Sequence, residues 1–276
     1  MATLSCFADE IAEDLTTQMQ VMDEAGVPFL ELRAVDGIPV LELTTEKANE
    51  VVSRLEDKGM GVSAIGSPIG KILITDPFEP HLEKFKRALE LAHICAADYI
   101  RLFSYFIPEG DDPAAYRDEV LRRMQEKAAL AEQSGIVILH ENESHIYGDI
   151  AARCKDIFDN VPSDYLRPIL DPANFVQNGE RSYDVAYQLY GDQIEYMHIK
   201  DAKLETGEVV PAGEGDGQMP EVLAALAERG YDGFLSLEPH LKIAGASSGF
   251  TGPDLFRTAV DALRKVAGEA GLPLDT

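Results

Sequence analysis

The sequence predicts a single closed (β/α)8 barrel, and three observations predict it. Short apolar runs alternate with longer stretches of helical spacing along the whole chain, eight of each. The apolar runs do not alternate with polar residues, so they read as strands covered on both faces, as parallel strands between helices must be. Four consecutive runs in the second half each end abruptly on a carboxylate or an imidazole, as strands feeding a catalytic rim would. At 276 residues such a barrel fills the chain as one domain, residues 1–276. An open doubly wound sheet is the runner-up. It would need a glycine-rich first turn, where this chain has Phe7-Ala8-Asp9-Glu10.

The elements follow in order. Leu4 to Phe7 forms the first strand, and Asp14 to Ala25 has helical spacing with Gly26 as its stop. Phe29 to Leu32 precedes a helix from Thr45 to Lys58, capped by Gly59. Gly61 to Ile65 opens the third unit, with its helix from Pro80 to Ala96. Tyr99 to Phe103 leads to a helix from Pro113 to Ser134, closed by Gly135. Ile136 to Glu141 is the fifth strand, followed by a helix from Asp149 to Asn160. Leu166 to Leu170 stops at Asp171 and is followed by a shorter helix, Tyr183 to Tyr190. Ile194 to Met197 stops at His198, with a helix from Met219 to Arg229. Phe234 to Leu237 stops at Glu238, and Pro253 to Gly268 closes the chain. The segments Gly66 to Pro80, Ala202 to Gly217 and Lys242 to Gly252 all follow strands, so all three are expected over the catalytic face.

The carboxyl ends of strands five to eight are neighbours around a barrel rim, which brings Glu141, Asp171, His198 and Glu238 together. One strand-end acid alone more often caps a helix. Three carboxylates buried side by side without a cation would be costly, so the four together point to a divalent metal. Oxygen-rich ligands with one imidazole suit Mn²⁺ or Mg²⁺, with Co²⁺ and Zn²⁺ as further options. Glu143 competes with Glu141, and Glu141 is preferred because it continues the strand directly. His140 is a candidate general base, although neighbouring strand residues point to opposite faces. His240, Lys200 and Asp201 follow ligands closely and are candidates for substrate contact, with Asp201 also able to orient an imidazole. Arg33 and Lys71 are candidates to grip an anionic or polyhydroxyl ligand. Tyr105, Phe106 and Tyr147 are candidates to wall the pocket.

A formal charge of −25, from 24 Lys and Arg against 49 Asp and Glu, opposes binding to nucleic acid or to an anionic membrane. No run reaches the ~18 apolar residues of a membrane span, and no basic-then-apolar leader opens the chain. The three cysteines, Cys6, Cys95 and Cys154, are odd in number and widely spaced, which reads as reduced thiols in a cytoplasmic protein.

Asp171-Pro172-Ala173-Asn174, His198-Ile199-Lys200-Asp201, Leu237-Glu238-Pro239-His240 and the loop Gly213-Glu214-Gly215-Asp216-Gly217 resemble the xylose isomerase-like TIM barrels, the sugar phosphate isomerase/epimerase superfamily. The resemblance covers essentially the whole chain. It implies one divalent metal held by Glu141, Asp171, His198 and Glu238, with Glu141 and Glu238 also serving as the proton-transfer pair of the ketose epimerases. The endonuclease IV type of DNA repair enzyme shares the superfamily but uses three zinc ions and many histidines. This chain has six histidines. Asn174 stands where that branch has a ligand histidine and some epimerases a substrate-contacting one, so it is taken as a substrate contact. Barrels of this type commonly form dimers or tetramers.

The expected function is therefore a metal-dependent sugar or sugar phosphate isomerase or epimerase. It would abstract a proton next to a metal-polarised carbonyl and pass through an enediolate. The rival is a lyase or dehydratase on an inosose, keto-sugar or 3-keto-glycoside, including C-glycoside cleavage, with His140, His240 or Lys71 as the acid. A non-catalytic sugar-binding barrel is the third reading, and retention of all four ligands weighs against it.

Overall fold

The computed structural model describes residues 1–241 and 250–275. Eight parallel strands form the barrel: β1 (Ala2–Cys6), β2 (Phe29–Leu32), β3 (Gly61–Gly66), β4 (Tyr99–Leu102), β5 (Val137–Glu141), β6 (Leu166–Leu170), β7 (Tyr196–Ile199) and β8 (Phe234–Leu237). Each pairs with its sequence neighbour. β1 then pairs with β8, from Thr3 opposite Phe234 to Cys6 opposite Leu237, and closes the cylinder. Leu274–Asp275 adds a short parallel segment beside the start of β1.

The outer layer comprises α1 (Leu15–Ala25), α2 (Thr45–Glu56), α3 (Phe78–Ile94), α4 (Arg117–Ser134), α5 (Ala151–Asn160), α6 (Pro172–Gln177), α7 (Met219–Glu228) and α8 (Pro253–Glu269). Asp14 caps α1 by accepting from the Thr17 N–H at 2.9 Å. Gly26 and Gly135 end α1 and α4 in the left-handed conformation, at φ 62° and 69°. No helix among the described residues is long and apolar enough to cross a membrane.

The two-residue period of the strands decides what the barrel interior contains. Ala64, Leu139, Ile169 and Tyr196 form a buried apolar layer inside it, apart from the larger core between strands and helices. Two residues further along the same strands come Gly66, Glu141, Asp171 and His198. The interior therefore changes within one layer from apolar packing to ionisable groups. A polar chain lies at that boundary. Ser5 Oγ is 2.6 Å from Ser63 Oγ, Ser63 Oγ is 2.9 Å from Tyr196 Oη, and Tyr196 donates to Glu31 at 3.0 Å.

The expected barrel is present, with local corrections. His198 lies inside β7, not after it, and the first strand begins at Ala2. Asp171 starts a short helix that the apolar pattern does not announce: its carboxylate accepts from Asn174 N–H at 2.9 Å, with Pro172 in the first turn. The helix expected over Tyr183–Tyr190 is a π-helical turn, Ser182–Tyr187, running into Gln188–Tyr190. Two small hairpins rise from the rim, Ala34–Val35 with Ile38–Pro39 and Asp201–Ala202 with Val209–Val210. Of the loop expected over Lys242 to Gly252, residues 242–249 lie outside the described residues.

Candidate metal centre

Glu141 is the last residue of β5, Asp171 follows β6, His198 belongs to β7 and Glu238 follows β8, so adjacent strands deliver all four to one place. All four are buried, and one ligating atom from each lies within 4.8 Å of the others. The imidazole orients the set. His198 Nδ1 is 3.2 Å from Glu141 Oε1 and 3.7 Å from both Asp171 Oδ2 and Glu238 Oε2. On its other side Nε2 is 3.3 Å from a Glu31 oxygen. A proton on Nε2 directed at Glu31 leaves the Nδ1 lone pair facing the carboxylates, the arrangement by which metal-binding histidines are held. Nδ1 of His198 has no hydrogen-bond partner among the described residues, and Oδ2 of Asp171 is paired with the Lys200 ammonium at 2.8 Å. Three carboxylates and one imidazole with its Nδ1 turned toward them fit a divalent cation.

Three cations ring the cluster. Lys200 Nζ lies 2.8 Å from Asp171 Oδ2 and 3.0 Å from Glu238 Oε2. Arg101 Nη1 is 3.0 Å from the outer oxygen of Glu141, and its Nη2 donates to the Gly66 carbonyl at 3.1 Å. Arg33 reaches Glu238 Oε1 at 3.0 Å, Asp9 at 2.8 Å and Glu10 at 3.7 Å. Both guanidinium groups stack on Phe7, at 4.5 and 5.1 Å from its ring centre, and Phe7 meets His198 edge-on at 5.2 Å.

These neighbours outweigh burial at most of the ligands. Burial alone would raise Glu141, but His198 and Arg101 bring it down to about 2. Burial likewise opposes Lys200, His240, His198 and Arg33 at Glu238, and the cations hold it well below the carboxylate range. Asp171 goes the other way: burial raises it more than Lys200 lowers it. Burial would depress His198 and Lys200, yet Glu141 and Glu31 raise the first and Asp171 and Glu238 raise the second. Counter-charge for the cluster thus comes from His198, Lys200 and the guanidinium groups packed against it.

A cavity of about 1190 Å³ opens above this floor. Arg33, Lys71, Asn174, Lys200 and His240 line it, as expected of substrate contacts. Asn174 donates to Glu141 Oε1 at 3.2 Å and to the Asn142 carbonyl at 2.9 Å. Lys71 pairs with Glu143 at 3.0 Å, so Glu143 lies on the cavity wall while Glu141 lies in the cluster. His240 Nε2 is 3.3 Å from Glu10 Oε1 and 3.6 Å from Glu238 Oε1. Burial pushes His240 down to about 4 and Glu10 up to about 8.

Other candidates fall elsewhere. His140 faces away from the cavity, edge-on to Phe158 of α5 at 5.9 Å and closely packed on Gly148, so it is no general base. The pleat that turns Glu141 inward turns His140 outward. Asp201 is buried outside the cavity lining and accepts four backbone N–H groups, so it does not touch substrate. Tyr105, Phe106 and Tyr147 do not line the cavity either. Tyr105 packs under Lys127 at 4.5 Å and Tyr147 donates to Asp156 at 2.7 Å. Sequence reasoning missed Arg101, Glu31, Glu10 and Phe7. Glu31 and Arg101 carried a usable signal, since both fall on the inward-facing phase of β2 and β4.

The floor of this (β/α)8 barrel is thus acidic with a single imidazole, a donor set that could hold a metal ion. The chain matches the xylose isomerase-like TIM barrel family over residues 19–266 and belongs to it. No curated protein matches it. Among solved structures it resembles the probable 3-DHS dehydratase AsbF of petrobactin synthesis from Bacillus anthracis, with 20% identity, TM-score 0.76, and 96% and 99% of the two chains covered. It also resembles a D-psicose 3-epimerase from Clostridium cellulolyticum H10, with 16% identity, TM-score 0.76, and 96% and 99% coverage. A third is the IOLI protein with a binding zinc atom, with 16% identity, TM-score 0.74, and 97% of each chain covered. At these identities the likeness is one of fold.

Proposed function

We propose that this protein is a divalent-metal-dependent sugar isomerase or epimerase that moves a proton at the carbon beside a carbonyl. The observation that carries the reading is the pairing of Glu141 and Glu238. Each has one oxygen on the shared cluster and the other on a guanidinium, Arg101 or Arg33. Glu141, Asp171, His198 and Glu238 would hold the ion, which when bound supplies Lewis-acid polarisation of the carbonyl. His198 with Arg101 at Glu141, and Lys200 with His240, His198 and Arg33 at Glu238, keep the two glutamates ionised, as a base needs, and the guanidinium groups fix their rotamers. One glutamate takes the proton from one face of the carbon, and the other returns a proton to the opposite face. Lys200, His240 and Asn174 are placed to hold substrate hydroxyls. Nucleic acid is no substrate in this reading, because its binding draws on Lys and Arg, and the 24 here are outnumbered by 49 Asp and Glu.

A dehydratase or lyase shares the first proton transfer. The pair His240–Glu10 favours it as the second reading, since it offers an acid beside Glu238 for a departing group. The structural neighbour described as a dehydratase has the same fold. One experiment separates the readings: ketoses, inososes and 3-keto-glycosides are incubated with metal-loaded enzyme in D₂O and followed by NMR. Deuterium at the α-carbon with inverted configuration is expected, while loss of water or aglycone identifies the lyase. A hydrogen label that migrates intact between substrate carbons overturns both.

A further inference from the structure

The barrel interior holds hydroxyl groups that its packing does not require. Tyr196 and His198 stand two residues apart on β7 and so face the same way, inward, where Ser5 of β1, Glu31 of β2 and Ser63 of β3 join them. None of the five is more than 2% exposed. The Tyr196 ring sits beside Ala64, Leu139 and Ile169, with Phe234 and Tyr99 at 5.6 and 6.0 Å between ring centres. A phenylalanine would fill that place as well, and buried hydroxyls destabilise a core unless they are paired.

The pairing has a direction. A carboxylate oxygen accepts, so Tyr196 gives its one proton to Glu31 Oε2, at 3.0 Å. Tyr196 Oη is then left as an acceptor, and Ser63 Oγ, 2.9 Å away, donates to it. Ser63 Oγ in turn accepts from Ser5 Oγ at 2.6 Å. Three hydroxyls from three strands thus point their protons one way and end on one carboxylate, each strengthening the next. Beyond that carboxylate lies the imidazole of the cluster: His198 Nε2 is 3.4 Å from Glu31 Oε1 and 3.3 Å from Oε2. Glu31, Ser63 and Tyr196 do not line the cavity, so none of them reaches a substrate.

We propose that Tyr196 is a positioning residue for the cation site, acting through Glu31 on His198. The phenol fixes the Glu31 carboxylate, Glu31 takes the Nε2 proton of His198, and Nδ1 is thereby kept toward Glu141, Asp171 and Glu238. Ser63 and Ser5 serve the same end one and two steps further back. The inference rests on the metal-binding part of the function proposed above, and not on which reaction the metal assists.

The test titrates Co²⁺ into chelator-treated protein against a competing dye and records the visible spectrum of the bound ion. Tyr196→Phe removes one oxygen and keeps the ring. It is expected to weaken Co²⁺ binding about tenfold or more and to move the Co²⁺ absorption in the same direction as Glu31→Gln does. Because Tyr196 acts through Glu31, the double variant Glu31→Gln/Tyr196→Phe is expected to bind Co²⁺ as Glu31→Gln alone does, within about twofold. An unchanged affinity or an unchanged spectrum in folded Tyr196→Phe overturns the proposal, and so do losses that multiply in the double variant. Ser63→Ala decides the matter if Tyr196→Phe does not fold, since it takes a donor from Tyr196 Oη and leaves the ring in place. Binding about two- to tenfold weaker is expected of it, and wild-type affinity overturns the proposal. A wild type that takes up no Co²⁺ overturns the metal-binding reading, and this proposal with it; Co²⁺ bound equally by wild type and variant overturns this proposal alone.

Discussion

Two regions of this barrel bury positive charge, and they treat it in opposite ways. Inside the lumen, Lys200 lies within 3.0 Å of two carboxylates, and those neighbours raise its pKa despite complete burial. Between the strands and α4, Lys127 is equally inaccessible, has no hydrogen-bond partner among the described residues, and rests on the Tyr105 ring. Burial, with Arg123 adding repulsion, pushes its amine down to about 7. Nearby, His140 has neither ring nitrogen partnered, and burial pushes it down to about 3. Burial is common to both regions; compensation is not. Buried charge matched by opposite charge marks a place where a cation is wanted, whereas buried charge without a match is a burden on the fold.

The largest effect that could break this contrast lies at the ligands. Glu238→Gln or Asp171→Asn should reduce bound divalent metal from about one per chain toward none, and slow solvent exchange by a factor of order 10²–10⁴, with the circular dichroism of the fold retained. Elemental analysis of protein prepared without chelator reads the first effect. Full metal occupancy in both variants would remove the lumen's claim to be a cation site.

Next come the residues that act on the ligands from outside. Glu31→Gln weakens the hold on the His198 tautomer, and Arg101→Met leaves Glu141 without its guanidinium. Each should cost about 10–100-fold in metal affinity or activity, measured by competition against a chelating dye. If Glu31→Gln binds metal as tightly as wild type, the orientation argument for His198 fails.

The burden at Lys127 should appear as stability gained when it is removed. Lys127→Met is expected to stabilise the fold by about 1–3 kcal/mol near neutral pH. The sign of the pH dependence follows from the lowered amine. Between about pH 7 and its ordinary value near 10.4, the unfolded chain binds a proton that the folded chain does not, so wild-type stability rises with pH across that window. The methionine variant lacks this term, and its advantage should be greatest at and below pH 7 and shrink toward pH 10. Urea titrations at pH 6.5 and 9.5 decide it; an advantage that grows with pH would refute the account.

The smallest effect is expected at His140. Packed against Phe158 and out of reach of the cavity, it should tolerate His140→Leu with unchanged kcat/KM on any substrate found by solvent exchange. A large loss of kcat with intact stability would return it to the catalytic group.

The sequence by itself determined the barrel and the four strand-end residues that the barrel brings together, because both are written in local terms. Strand and helix periods repeat along the chain, and each ligand stands at the end of an apolar run, a position that closure of the barrel turns into a shared site. Tertiary structure decided the partners. Strand phase points Arg101 and Glu31 inward, but which groups they and Glu10 meet there is decided by segments far apart in sequence. The strand pleat sent His140 outward and Glu141 inward, although the two are adjacent. Asp201 looked like a substrate contact beside His198, yet the loop twelve to sixteen residues later folds back and takes its carboxylate. A periodic pattern states which way a side chain faces. What it faces depends on distances between segments, and those exist only once the barrel has closed.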